Sequence, residues 1–221
     1  MSTTNAWRTG VISLCVGLLL AGSSGCVGLI ANLIYAGTGN KVPARFDGLK
    51  ERKVAVVVID SQGAIGPSLI SQQLAQRISI SLKNNVKEIK VLDPQTVEDW
   101  IDEHNWDYLD FQALGKGVEC ESLVAVDIDS FSLHDGQTMY KGQANIHLSV
   151  YDILDQGKEV YSVTPRQIEY PVNGGYHTTD IPERDFRKLF LDKLAQRIAR
   201  HFFAYEAIEE YAEDTTLVGP R

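Results

Sequence analysis

Val54-Ala-Val-Val-Val-Ile59, entered at Lys53 and left at Asp60, decides the fold. Every residue of the run but Ala55 is β-branched, and no position is polar. A strand half-exposed to water alternates, so an unbroken apolar run predicts a central strand covered on both faces. Working outward, Ser61-Gln-Gly-Ala-Ile-Gly66 reads as a loop, and Pro67 sits where a first helical turn can spare its N–H. Ile70, Leu74, Ile78 and Leu82 recur every fourth residue and predict a helix over 67–83 with that stripe inward. Asn84-Asn85 is its stop. Ile89-Lys-Val-Leu92 predicts a second short strand. Asp93 then stands as N-cap of a second helix, with Val97, Trp100, Ile101 and His104 along one face. A third, shorter helix is expected over 108–114.

Strands dominate the next stretch. Leu123 to Phe131 starts apolar and then alternates, His134-Asp-Gly-Gln137 signals a hairpin, and Tyr140 to Tyr151 alternates throughout. Asp155-Gln-Gly-Lys158 turns again, and Glu159-Val-Tyr-Ser-Val163 continues toward Tyr170. Alternation means one packed face and one wet face. After a loop with Pro171, Gly174, Gly175 and Pro182, a last helix is expected over 182–205. Its stripe is Phe186, Leu189, Phe190, Leu194, Ile198 and Phe202. The order β-α-β-α-β-β-β-α predicts an α/β (α+β) fold, a single mixed sheet with helices packed on it. The globular domain is assigned to 51–206, and residues 207–221 read as an acidic mobile tail.

The amino terminus is of another kind. Arg8 is the sole charge before Cys26. Val11-Ile-Ser-Leu-Cys-Val-Gly-Leu-Leu-Leu-Ala21 is an apolar run of signal-peptide length, and Gly22-Ser-Ser-Gly25 supplies small residues before a cleavage point. With Cys26 next, the arrangement resembles a bacterial lipobox, in which the cysteine is acylated and becomes the new amino terminus. Ser24 and Gly25 fit that pattern; Ser23 stands where it usually has Leu, Val or Ile. The expectation is a signal peptide over 1–25, palmitate-type acylation at Cys26, and a tether over 26–50 in which Val42-Pro43 and Phe46 could dock on the domain edge. Because no charge occurs between Val11 and Ala36, an uncleaved transmembrane anchor over 11–36 is the alternative, and simple secretion a third. All three put the domain outside the cytoplasm, and the first has it facing the periplasm from a lipid anchor. Two or more acyl chains hold a protein stably at a membrane.

Composition narrows the function. The chain of 221 residues has 44% hydrophobic residues and a net charge of −8. Removing 1–25, whose only charge is Arg8, makes it −9. An acidic chain without a basic cluster lacks the phosphate-neutralising charge that nucleic-acid binding requires. Of three cysteines, Cys15 would leave with the signal and Cys26 carry lipid, so Cys120 has no disulfide partner and reads as a small core residue.

Further features match at the level of pattern: Lys53-Val-Ala-Val on the first strand, the helix Leu74-Ala-Gln-Arg-Ile78, the long strand through Gly142-Gln-Ala, and the closing helix Leu194-Ala-Gln-Arg-Ile-Ala-Arg-His-Phe202. On these, residues 42–206 resemble a group that includes the amino-terminal domain of the TolB translocation protein, the curli-secretion lipoprotein CsgG, and LpoB, the lipoprotein activator of penicillin-binding proteins. The resemblance implies a protein-binding or assembly role in the cell envelope, without catalysis. It carries over no functional residue.

Motifs for chemistry are sparse. The loop from Asp60 to Ser68 has Gly-Pro-Ser where a phosphate-binding loop needs Gly-Lys-Ser/Thr. His104, His134, His147, His177 and His201 show no metal-ligand spacing. Asp127 and Asp129 would share a strand face, which is more often a wet face than a paired-acid site. No cofactor, metal or catalytic residue is therefore expected. Tyr140, Tyr151, Tyr161, Tyr170 and Tyr176 cluster on the late strands and form a candidate recognition surface. Two rivals remain: an envelope hydrolase, whose mark would be a pocket gathering Asp60, His134 or His177, and a ring-forming secretion subunit built from copies of this chain.

Overall fold

The computed structural model describes residues 41–60, 68–104, 110–165 and 167–206. In the unit that begins at Val42, the opening run is strand β1 (Lys53–Asp60), and it is central. It pairs in parallel with β2 (Lys90–Val91) on one side and with β3 (Ser122–Asp135) on the other. Strand β4 (Met139–Asp152) returns antiparallel to β3. The far edge of β4 takes three pieces in succession: β5 (Lys158–Val163), β6 (Ile168–Tyr170) and β7 (Tyr176–His177). Together these make a mixed, seven-stranded sheet. The expected single strand from Glu159 toward Tyr170 is therefore broken between β5 and β6. Pro165 lies in the gap and has no N–H to give a ladder.

Both faces of β1 are packed, as its apolar run requires. Val54, Val56 and Val58 join Leu74, Ile78 and Leu82 of α1 (Leu69–Asn85) and Phe186, Phe190 and Leu194 of α4 (Glu183–Ala199). Ala55 and Val57 join Val97 and Ile101 of α2 (Pro94–His104) and Leu114 of α3 (Phe111–Gly117). The expected stripes thus hold except at two positions: Ile70, at the start of the first, and Leu189, within the second, are only partly buried.

Helix ends follow local hydrogen bonding. Helix α1 starts after Ser68, whose Oγ accepts from the Ser71 N–H at 3.1 Å. It runs through Asn85, past the expected stop, and the amide of Asn85 donates to the Ser81 carbonyl. Asp93 caps α2 as expected, accepting from the Gln95 N–H. Helix α3 lies three residues later than expected because Asp110 caps it, accepting from the Gln112 and Ala113 N–H groups at 2.8 and 3.0 Å. Asp110→Ala should therefore cost about 1 kcal/mol in chemical denaturation, the usual value of an N-cap.

Helix α4 stops at Ala199 instead of reaching Tyr205. The carbonyl of His201 accepts from the Arg45 and Phe46 N–H groups, both at 2.9 Å; in a continuing helix it would serve residue 205. Phe202 stays in the core. Phe46 meets it edge-on and lies 5.2 Å from the ring of Tyr161. Leu49 is fully buried, so residues read as tether fill part of the core.

Candidate binding surfaces

Cys26 lies outside the described residues, as do the loop residues 61–67. Cys120 is where a core residue should be, packed with Val97 and Leu114 under α2 and α3. Burial pushes its thiol up to about 11, so almost no thiolate exists at neutral pH. Iodoacetamide should leave Cys120 unmodified in the folded chain and alkylate it on denaturation; rapid labelling of folded protein would refute that placement.

The residues expected of a hydrolase are not brought together. Asp60 ends β1, opposite Ile128. His134 is exposed near the far end of β3, its ring edge-on to Tyr140 and its Nε2 3.8 Å from Glu183. His177 is exposed on β7, and the Asp180 N–H donates to its carbonyl in a turn. His104 stacks on Trp100 at 4.0 Å. Asp127 and Asp129 do not share a regular face, because a bulge between Ile128 and Ser130 takes Asp129 out of register. Among the described residues no group of three or more His, Cys, Asp or Glu is arranged to hold a metal.

The tyrosine surface is also overturned. Tyr140 and Tyr170 are buried at 7% and 4% exposure. Tyr140 stacks on Phe186 at 5.3 Å, and Tyr176 tilts against the same ring. Tyr161 packs among Phe46, His201 and Phe202, and Tyr151 stacks on Phe111 at 4.6 Å. Strand parity is the reason: the even positions of β4 point to α4, so Tyr140 falls in phase with Ala144, Ile146 and Leu148.

Two other places gather polar side chains, some exposed and some buried. The first is on the face of β4 and β5 opposite α4. There His147 takes three hydroxyls: Thr164 at Nδ1 (2.8 Å), and Ser149 (3.1 Å) and Ser162 (3.2 Å) at Nε2. The Ser149 hydroxyl donates to Glu159 at 3.3 Å, and Tyr151 reaches the same carboxylate oxygen. This order opposes nucleophilic catalysis. A serine nucleophile gives its proton to histidine, and the carboxylate orients the histidine. Here the carboxylate meets the serine rather than the ring, and the second ring nitrogen is taken by a threonine. Ser149 is only 2% exposed. The array is a hydrogen-bonded polar patch on a sheet face.

The second place is a groove of about 570 Å³ lined by Val42, Pro43, Arg45, Arg197, Arg200 and Tyr205, among others. Arg200 lies 4.7 Å above the Tyr205 ring. His201, also in the lining, is hydrogen-bonded to the Tyr161 hydroxyl at 2.7 Å. Burial first, and the neighbouring Arg45 second, hold the imidazole down to about 4, so it is neutral at pH 7.

Comparison with family models finds none that matches, and comparison with curated proteins finds none. Solved structures do resemble the chain. The lipoprotein GNA1162 from Neisseria meningitidis is 11% identical with a TM-score of 0.43, over 66% of this chain and 97% of that one. The PelC dodecamer from Paraburkholderia phytofirmans is 8% identical with a TM-score of 0.40, over 72% and 94%. The LpoB C-terminal domain from Salmonella enterica is 10% identical with a TM-score of 0.35, over 62% and 90%. Bacterial lipoproteins recur among these neighbours, with LpoB, one of the group named from the sequence patterns, among them. Among the described residues no helix is long and apolar enough to cross a membrane.

Proposed function

We propose that this chain is an exported lipoprotein of the bacterial cell envelope, acylated at Cys26, whose domain binds an envelope partner without catalysing a reaction. The anchor reading rests on the arrangement of Arg8, the apolar run Val11–Ala21, the small residues 22–25 and Cys26. The binding reading rests on the His147 patch: its hydroxyls and carboxylate are ordered for mutual hydrogen bonding, and it lies on the paired strands β4 and β5. Such a face offers fixed donors and acceptors to a protein surface at low entropic cost.

A photo-crosslinking residue placed at the exposed Ser162 or Thr164 in living cells tests this. A discrete adduct is expected there and not at exposed Lys83 on α1. Equal yields at the two faces would contradict the assignment. Turnover of ester or peptide substrates that is lost with Ser149→Ala would favour a hydrolase instead.

A further inference from the structure

We propose that the arginine groove binds the phosphate headgroups of anionic phospholipid and so seats the domain on its own membrane. The groove is built where the two ends of the described domain meet. Val42, Pro43 and Arg45 come from the segment leading in from Cys26, and Arg197, Arg200 and Tyr205 from the end of α4 and the chain after it. Cys26 precedes Val42 by sixteen residues, which at about 3.4 Å each confines this end of the domain to within about 55 Å of the bilayer. The groove is therefore at the anchored end.

Its charge is opposite to that of the whole. The chain has 29 Asp and Glu against 21 Lys and Arg, yet among the described residues the groove's lining has three arginines, Arg200 the most buried of them, and no carboxylate. Cations at a helix C-terminus complement its dipole, which accounts for Arg197 in the last turn of α4. It does not account for Arg45, which arrives from the opposite end of the sequence. Guanidinium groups pair with phosphate oxygens through parallel N–H bonds. An acidic domain is repelled by an anionic surface unless its basic end faces that surface, so the groove also fixes orientation. Tyr205 and the partly exposed Val172 place apolar surface at the lining, next to the charge.

The proposal rests on the anchor reading for its location, though not for its chemistry. The test titrates the full chain in neutral detergent with dihexanoyl phosphatidylglycerol, dihexanoyl phosphatidylcholine and inorganic phosphate, read by calorimetry. Phosphatidylglycerol should bind at least about tenfold more tightly than either competitor, since phosphatidylcholine brings a cation that the arginines repel and inorganic phosphate lacks the apolar part that Tyr205 and Val172 would meet. Arg45→Gln should weaken it about fivefold, and adding Arg197→Gln should abolish the preference. Arg45 is exposed, so its variant should unfold at the wild-type temperature and keeps the test readable. Equal affinities for the two lipids, inorganic phosphate binding as tightly as phosphatidylglycerol, or a preference surviving both substitutions would each overturn the proposal. Failure of Cys26 acylation, measured separately with palmitate, leaves the titration interpretable.

Discussion

Phe190→Ala should lower the unfolding free energy of the domain by about 3–5 kcal/mol, read from urea titration of circular dichroism. Phe190 is fully buried on α4, 5.3 Å from the ring of Phe131. Beneath it on β4 lies Gly142, where an added Cβ would come within 2.3 Å of the phenyl ring. Ring and glycine are thus one fitted contact, through which the closing helix sits on the long strand. Large-to-small changes at such a site lose both transfer energy and packing. Gly142→Ala should destabilise as well, by about 1–3 kcal/mol through overpacking. Its cost should shrink when Phe190 is replaced by the smaller Leu, which a double-mutant cycle would show as coupling. A loss below 1 kcal/mol for Phe190→Ala, or strictly additive costs, would show that α4 does not pack there.

The second large effect depends on pH. His201 is buried, bonded to Tyr161 and held neutral by desolvation and by Arg45, with its folded value near 4 against an ordinary 6.5. The unfolded chain therefore takes up a proton near pH 6.5, while the folded chain resists until about pH 4. Stability from this group is fully present above 6.5 and is lost as pH falls through that window. The loss approaches about 3 kcal/mol. Carboxylates titrate near the lower end as well, so the comparison is between wild type and His201→Gln, in which only the imidazole contribution is gone. The two stability curves should converge as pH falls from 7 toward 4. Parallel curves would mean that His201 is solvated.

How much of this was legible in the sequence depended on whether a signal was local. Val54 to Ile59 announced burial on both faces because each residue of the run has to satisfy it independently, and β1 is central. The stripes of α1 and α4 were legible for the same reason. The end of α4 was not: it is set by the His201 carbonyl receiving Arg45 and Phe46 from the far end of the chain. The tyrosines misled because strand preference and recognition favour the same residue, and only phase against Ala144 and Ile146 separates them. The alternation of His147, Ser149 and Tyr151 marked an outward row. The matching row of Ser162 and Thr164 required the β4–β5 register to bring it alongside. Arg197 and Arg200 stand three apart at a helix end in a chain read as having no basic cluster, and the groove appears only when Arg45 is folded onto them.

The central claim is that Cys26 carries the lipid that holds this domain at the envelope. Metabolic labelling with palmitate, in a bacterial host that expresses the full chain, tests it most directly. The account predicts label on the wild-type protein, release of residues 1–25, and loss of label in Cys26→Ala. Absence of label on wild type, or label that persists in Cys26→Ala, would contradict it.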